Sequence, residues 1–71
     1  MSAVKSTREG VVLEAFKGGL FRIKLDQSDE EVSAYLAGKM RLHYIKVLVG
    51  DRVRVEFSEY DQQKGRIIQR L

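Results

Sequence analysis

Residues 52–57 alternate without a break. Val53, Val55 and Phe57 take one parity, Arg52, Arg54 and Glu56 the other. Period two is the pattern of a strand with one face buried and one in water. It returns in Leu20–Leu25, where Phe21, Ile23 and Leu25 alternate with Arg22 and Lys24, and in Val32–Leu36, where Val32, Ala34 and Leu36 oppose Ser33 and Tyr35. A chain of 71 residues has little surface to bury, about 60% of what its unfolded form exposes. Several short strands in so small a chain are best satisfied by closing into a barrel, which removes exposed edges.

Two further strands complete the expectation. Gly10–Phe16 reads as the first, with Val11, Leu13 and Ala15 inward and Val12, Glu14 and Phe16 outward. Arg66–Leu71 reads as the last. In it Ile67 and Leu71 share one parity, Arg66 and Arg70 share the other, and Ile68 breaks the pattern. Residues 1–8 have no period and form the expected flexible arm, fraying or adding contacts through Lys5 and Arg8. Residues 9–71 form one domain. Lys17-Gly18-Gly19 is a tight turn, since glycine accepts positive φ. Ser58–Gly65 reads as the longest polar loop.

Between strands three and four the period changes. Gly38–Asp51 brings apolar residues at short helical offsets, with basic residues between them. A helical turn near residues 39–44 is expected. Met40, Ile45 and Leu48 are assigned to the core, and Tyr44 to a structural role among them. Lys39, Arg41 and Lys46 are presented together.

The chemistry that the residues exclude is broad. There is no cysteine and one histidine, so neither a disulfide nor a structural zinc site is expected. His43 has no identifiable nucleophile or acid partner, and no catalytic constellation appears. The Lys17–Gly19 turn is too short for a phosphate-binding loop. Asp26, Asp29, Glu30 and Glu31 crowd one turn but lack the twelve-position frame and central glycine of a calcium loop. No apolar run is long enough to span a membrane, and the N-terminal residues lack the apolar core of a secretory signal.

Charge gives the positive indication. The net charge is +3, but four of the ten acids concentrate in that one turn, so the rest of the surface is more basic than the total. Such asymmetry favours a polyanionic partner.

The ordered pieces Gly38-Lys39-Met40-Arg41, Tyr44-Ile45-Lys46-Val47-Leu48, Gly50-Asp51-Arg52-Val53, Tyr60-Asp61 and Lys64-Gly65-Arg66-Ile67 resemble the bacterial-type translation initiation factor one family. The likeness runs from Glu9-Gly10 through Phe21-Arg22 to Arg70. It implies an all-β, five-stranded oligonucleotide/oligosaccharide-binding (OB) barrel with a short helical segment between strands three and four. It implies a non-enzymatic factor with no cofactor that binds the small ribosomal subunit at the decoding, or A, site. There it contacts 16S-type rRNA and a neighbouring ribosomal protein, assists the other two initiation factors, and keeps elongator tRNA out. A monomer with no DNA or membrane partner is expected, in the cytoplasm or, for a plastid source, the stroma. A general single-stranded RNA-binding OB or cold-shock-like protein is the alternative.

The residues expected to bind RNA are Lys39, Arg41, Lys46, Tyr60, Lys64, Arg66 and Arg70. Arginine forks to phosphate, and lysine acts as a point charge. Tyr60 either stacks on a base or covers one end of the barrel. Tyr35 and Phe16, on outward parities, either serve the RNA surface or pack beneath a loop. The chain departs from the family pattern at several places. Tyr35 stands where a histidine is common, and Leu42 stands where a basic residue would add a phosphate contact.

Overall fold

The computed structural model describes residues 5–58 and 61–71. Five strands and one helix follow in the order β1 (Lys5–Phe16), β2 (Leu20–Leu25), β3 (Glu31–Leu36), α1 (Gly38–Leu42), β4 (Arg52–Ser58) and β5 (Asp61–Arg70). The sheet closes on itself in the order β1-β2-β3-β5-β4. β3 and β5 run parallel, and every other neighbouring pair is antiparallel. This is the five-stranded barrel with its helix between strands three and four that the sequence predicts.

The alternating strands behave as read. Ile23, Ala34, Val53, Val55 and Ile67 have no accessible surface, and Phe21, Leu25, Val32 and Phe57 are buried with them. Their partners across each strand, Arg22, Lys24, Arg52 and Arg54, remain on the outside. Removing this apolar surface from water is the main favourable term of folding, at about 25 cal/mol per Å².

β1 departs from expectation twice. It begins at Lys5 rather than Gly10, and residues 5–8 pair with Ser58, Phe57, Glu56 and Val55 of β4. Its inward residues are Gly10 and Val12, not Val11 and Leu13, and Ala15 is exposed. A bulge accounts for Val11 and Leu13; Ala15 lies across from the inward Phe21 but is exposed near the strand's end. Val12 pairs with Ile23 and Glu14 with Arg22, so Leu13 is an extra residue. A single inserted residue moves everything beyond it to the other parity. Gly10 suits the inward position because the strands meet closely there. A Cβ on it would overlap the Lys24 carbonyl and lie 2.8 Å from Ile23 Cγ2.

β5 also departs. The expected loop from Ser58 to Gly65 is replaced by strand from Asp61 onward, with Ser58 pairing Asp61. Gly65 faces inward, where a Cβ would overlap Val55 Cγ1 and stand 2.9 Å from Phe57 Cε1. A second bulge makes Ile68 the extra residue, since Val55 pairs with Ile67 and Arg54 with Gln69. That is why Ile67 and Ile68 both contribute to the core. Leu71 is about half exposed.

The connector beyond α1 differs as well. Met40 is buried as expected, but Ile45, Leu48 and Tyr44 are exposed, and Val47 is the buried residue. Asp51 Oδ2 accepts the Leu48 amide at 2.8 Å, and the Asp51 amide returns to the Leu48 carbonyl at 3.0 Å. This closed turn, with Gly50 at φ +94, delivers the chain into β4.

Candidate nucleic-acid interface

α1 starts where β3 stops. The Ala37 amide donates to the Ile67 carbonyl at 2.9 Å, and the Ala37 carbonyl accepts the amides of Met40 and Arg41 at 3.0 and 3.2 Å. Ala37 and Met40 are buried, so the helix is pinned against β5 by its apolar side. Its opposite sides then project Lys39 and Arg41 into water.

Lys39 is the residue that joins the site. It lines a cleft of about 350 Å³ with Glu56, Arg66 and Ile68, and a second cleft of about 550 Å³ with His43, Ile45 and Arg70. The Arg70 guanidinium donates to the Lys46 carbonyl at 3.0 Å, which brings Lys46 to the same side. Lys64 and Arg66 line a further opening beside Tyr35. Lys39, Lys46, Lys64, Arg66 and Arg70 therefore border one continuous α1–β5 face.

Shared parity does not align Arg66 with Arg70. Arg66 lies across from Glu56, an outward residue, and Arg70 lies across from Val53, an inward one. The bulge at Ile68 separates them. They reach one face because Arg70 sits at the barrel's end, beneath the connector, and α1 bridges the gap.

Arg41 leaves on the other side of the helix. Its Nη2 donates to the Gly18 carbonyl at 3.4 Å, so it extends the surface toward the β1–β2 turn. Tyr60 lies outside the described residues. Tyr35 is about half exposed beside Lys64 and Arg66. Phe16 is also partly exposed, but the Arg22 guanidinium lies 5.6 Å from its ring centre, a cation–π distance.

The electrostatics divide the molecule. Asp26 receives two hydrogen bonds from Arg52, whose guanidinium also lies 3.7 Å from Glu9. The hydrogen bond and charge of Asp26, reinforced by Glu9, push the Arg52 pKa further above its ordinary high value. Arg54 pairs with Glu9 at 2.9 Å, Lys24 with Asp29 at 3.5 Å, and Arg22 with Glu14 at 3.2 Å and Glu31 at 3.9 Å. The acidic turn thus folds back on the cations of β2 and β4. On the α1–β5 face, Arg66 pairs with Glu56 at 2.7 Å. Among the described residues, no ion pair engages Lys39, Arg41, Lys46 or Arg70. Among the described residues there is also no His/Cys/Asp/Glu cluster able to hold a metal, and no helix long and apolar enough to cross a membrane.

Sequence reasoning misses two features of this site. Alternation makes Glu56 a solvent-facing residue with no site role, yet it lies among the cations. Tyr44, expected among apolar partners, is fully presented to solvent. The sequence signal for the second is the lack of any glycine between Gly38 and Gly50. α1 therefore has to end on a residue with a side chain.

A closed five-stranded barrel with a helix between β3 and β4, and a face on which Lys39, Lys46 and Arg70 meet no acid among the described residues, defines a small basic OB-fold protein. Residues 2–71 match the family model described as Translation initiation factor 1A / IF-1, and the chain belongs to this family. Its members are translation factors, not enzymes. The chain is 51% identical over 67 residues to the chloroplastic translation initiation factor IF-1 of Solanum lycopersicum, covering 94% of this chain and 42% of that one. It is 49% identical over 67 residues to the chloroplastic IF-1 of Oryza sativa subsp. indica, covering 94% and 62%. The chain spans about half the length of the curated relatives it matches. Among solved structures, the solution structure of the corresponding translation initiation factor from the Wolbachia endosymbiont strain TRS of Brugia malayi superposes with a TM-score of 0.79 at 42% identity, covering 94% of this chain and 78% of that one. The circularly permuted GTPase YloQ shares the fold at a TM-score of 0.74 and 22% identity, over 93% of this chain and 23% of its own.

Proposed function

We propose that this protein is an initiation factor that binds the small ribosomal subunit at the A site. It acts as a monomer, contacts 16S-type rRNA and a neighbouring ribosomal protein, assists the other two initiation factors, and blocks premature entry of elongator tRNA. Its compartment is one in which such subunits initiate: a bacterial cytoplasm or, as for the chloroplastic relatives, a plastid stroma. Family membership supports the ribosomal assignment. The single observation that carries it on this chain is the α1–β5 face, where Lys39, Lys46 and Arg70 keep their charge for an external anion.

Phosphates bound by these side chains release condensed counterions, so affinity falls as salt rises. The double variant Lys39→Ala with Arg70→Ala, two cations of that face without an ion pair among the described residues, tests the reading. Binding to purified small subunits is measured at equilibrium over a salt series, with circular dichroism as the check on folding. The variant is expected to stay folded and bind more weakly. The plot of log affinity against log salt is expected to flatten by about 0.7–0.9 for each lost contact. Parent-like binding at every salt concentration would remove this face as the interface. Tighter binding of the parent to a free oligonucleotide than to the subunit would instead establish a general single-strand binder.

A further inference from the structure

The end of α1 is defined by its hydrogen bonds. The Tyr44 amide donates to the Arg41 carbonyl at 3.2 Å, and the Ile45 amide to the Met40 carbonyl at 3.0 Å. These are the two bonds of a Schellman cap, in which the residue just past the helix adopts the left-handed conformation. Glycine usually fills that position, because a side chain there crowds its own backbone. Here the residue is Tyr44, at φ 54. Its side chain recovers nothing by packing, since it is 92% exposed. The apolar contact that normally accompanies such a cap joins the positions of Met40 and Ile45, and both line the same cleft. Neither the backbone nor the core requires a tyrosine at 44. A strained position that carries an exposed aromatic is the pattern of a contact made to something outside the chain.

The neighbours identify what that is. From Gly38 to Gly50 the chain carries Lys39, Arg41 and Lys46 and no acidic residue. A flat ring set among cations matches an unpaired base on a phosphate backbone, which needs both a stacking surface and positive charge. A protein partner could meet the exposed Leu42 and Leu48 nearby, but it would face cations without carboxylates to share them.

We infer that Tyr44 is a stacking platform for one unpaired nucleobase of the bound RNA, held away from the barrel by the left-handed cap of α1. The inference rests on the RNA reading of the α1–β5 face. It adds a base contact to a surface otherwise argued from charge.

The test compares the parent with Tyr44→Gly, Tyr44→Phe and Tyr44→Leu. Each is melted alone and titrated against purified small ribosomal subunits at several salt concentrations. Tyr44→Gly is expected to melt at a higher temperature than the parent, because glycine relieves the cap. It is expected to bind roughly ten- to a hundredfold more weakly, the loss typical of one stacked base. Tyr44→Phe should bind within about threefold of the parent, and Tyr44→Leu should be as weak as Tyr44→Gly. The salt slope should not change in any variant, since no charge is removed. Parent-like binding by Tyr44→Gly would overturn the inference, and so would a lowered melting temperature, which would make Tyr44 a structural residue. Restored binding by Tyr44→Leu would replace the base with an apolar protein contact. A parent that ignores the subunit would refute the ribosomal reading itself and this inference with it. A parent that binds beside an equally tight Tyr44→Gly refutes the stacking alone.

Discussion

The barrel wall made by β1, β2 and β4 and the face made by α1 and β5 carry the same kinds of charged residue, with opposite results. On the wall, Arg52 is held by Asp26 and Glu9, and Arg54 by Glu9 at 2.9 Å and Gln69 at 2.9 Å. On the face, only Arg66 meets an acid, Glu56 at 2.7 Å, while Arg70 donates to the carbonyl of Lys46, as Arg41 beside the face does to that of Gly18. A carbonyl orients a guanidinium but leaves its net charge available to an outside anion. A carboxylate cancels it. Composition therefore says little about where this protein is attractive to a polyanion. What decides it is which cations Glu9, Glu14, Glu56 and the acids of residues 26–31 reach once the strands are paired.

The largest expected contrast comes from glycines. Gly10→Val puts a side chain into the Lys24 backbone carbonyl, which cannot swing aside. It should cost about 3 kcal/mol or more and melt the wall. At Gly38, on the face, a Cβ meets nothing within 4 Å, so Gly38→Ala should be neutral or stabilise by about 0.5 kcal/mol. Urea titration of both variants checks this, and equal losses would show that the two regions are packed alike.

A smaller effect is expected at Glu9, the acid shared by Arg52 and Arg54. Exposed ion pairs contribute about 0.2–1 kcal/mol each and weaken with salt. Glu9→Ala should lower stability by about 1 kcal/mol, and its deficit against the parent should shrink in concentrated salt. A deficit that persists would mean that packing, not charge, is what Glu9 supplies.

The smallest stability change belongs to Lys46→Ala, within about 0.5 kcal/mol of the parent. Its effect should appear instead in subunit binding, as a salt slope reduced by about 0.7–0.9. Should Lys46→Ala destabilise the fold more than Glu9→Ala, the division between wall and face would fail.

How much of this is legible in the sequence depends on local regularity. β2 and β4 alternate without interruption, and every inward residue named for them is buried. β1 and the end of β5 each hold one extra residue, at Leu13 and Ile68. A bulge leaves no composition signature, so a period-two reading assigns the wrong face on one side of it. The candidate site is legible as a set of residue types around α1. Its geometry is not. The separation of Arg41 from Lys39 follows from which side of α1 is buried, and Arg66 and Arg70, set apart by the bulge at Ile68, share a face only through α1 between them. Tyr44 is misread because apolar neighbours in sequence suggest burial, whereas the chain reverses in a left-handed cap and turns the ring outward.

The closure itself bears on how the molecule comes into being. β5 pairs with β3 in parallel and with β4 antiparallel, so the last of the five strands to be synthesised is the one that shuts the barrel. Until it arrives, β3 and β4 each present an open edge, and Ile67 is missing from the core. Local hairpins such as β1–β2 can form as the chain emerges, but the cooperative step must wait for contacts that join distant parts of the sequence. Such topologies fold slowly for their size. During that interval the open edges of β3 and β4 are exposed to other chains, and the charged residues on the outward parities of the strands work against edge-to-edge pairing.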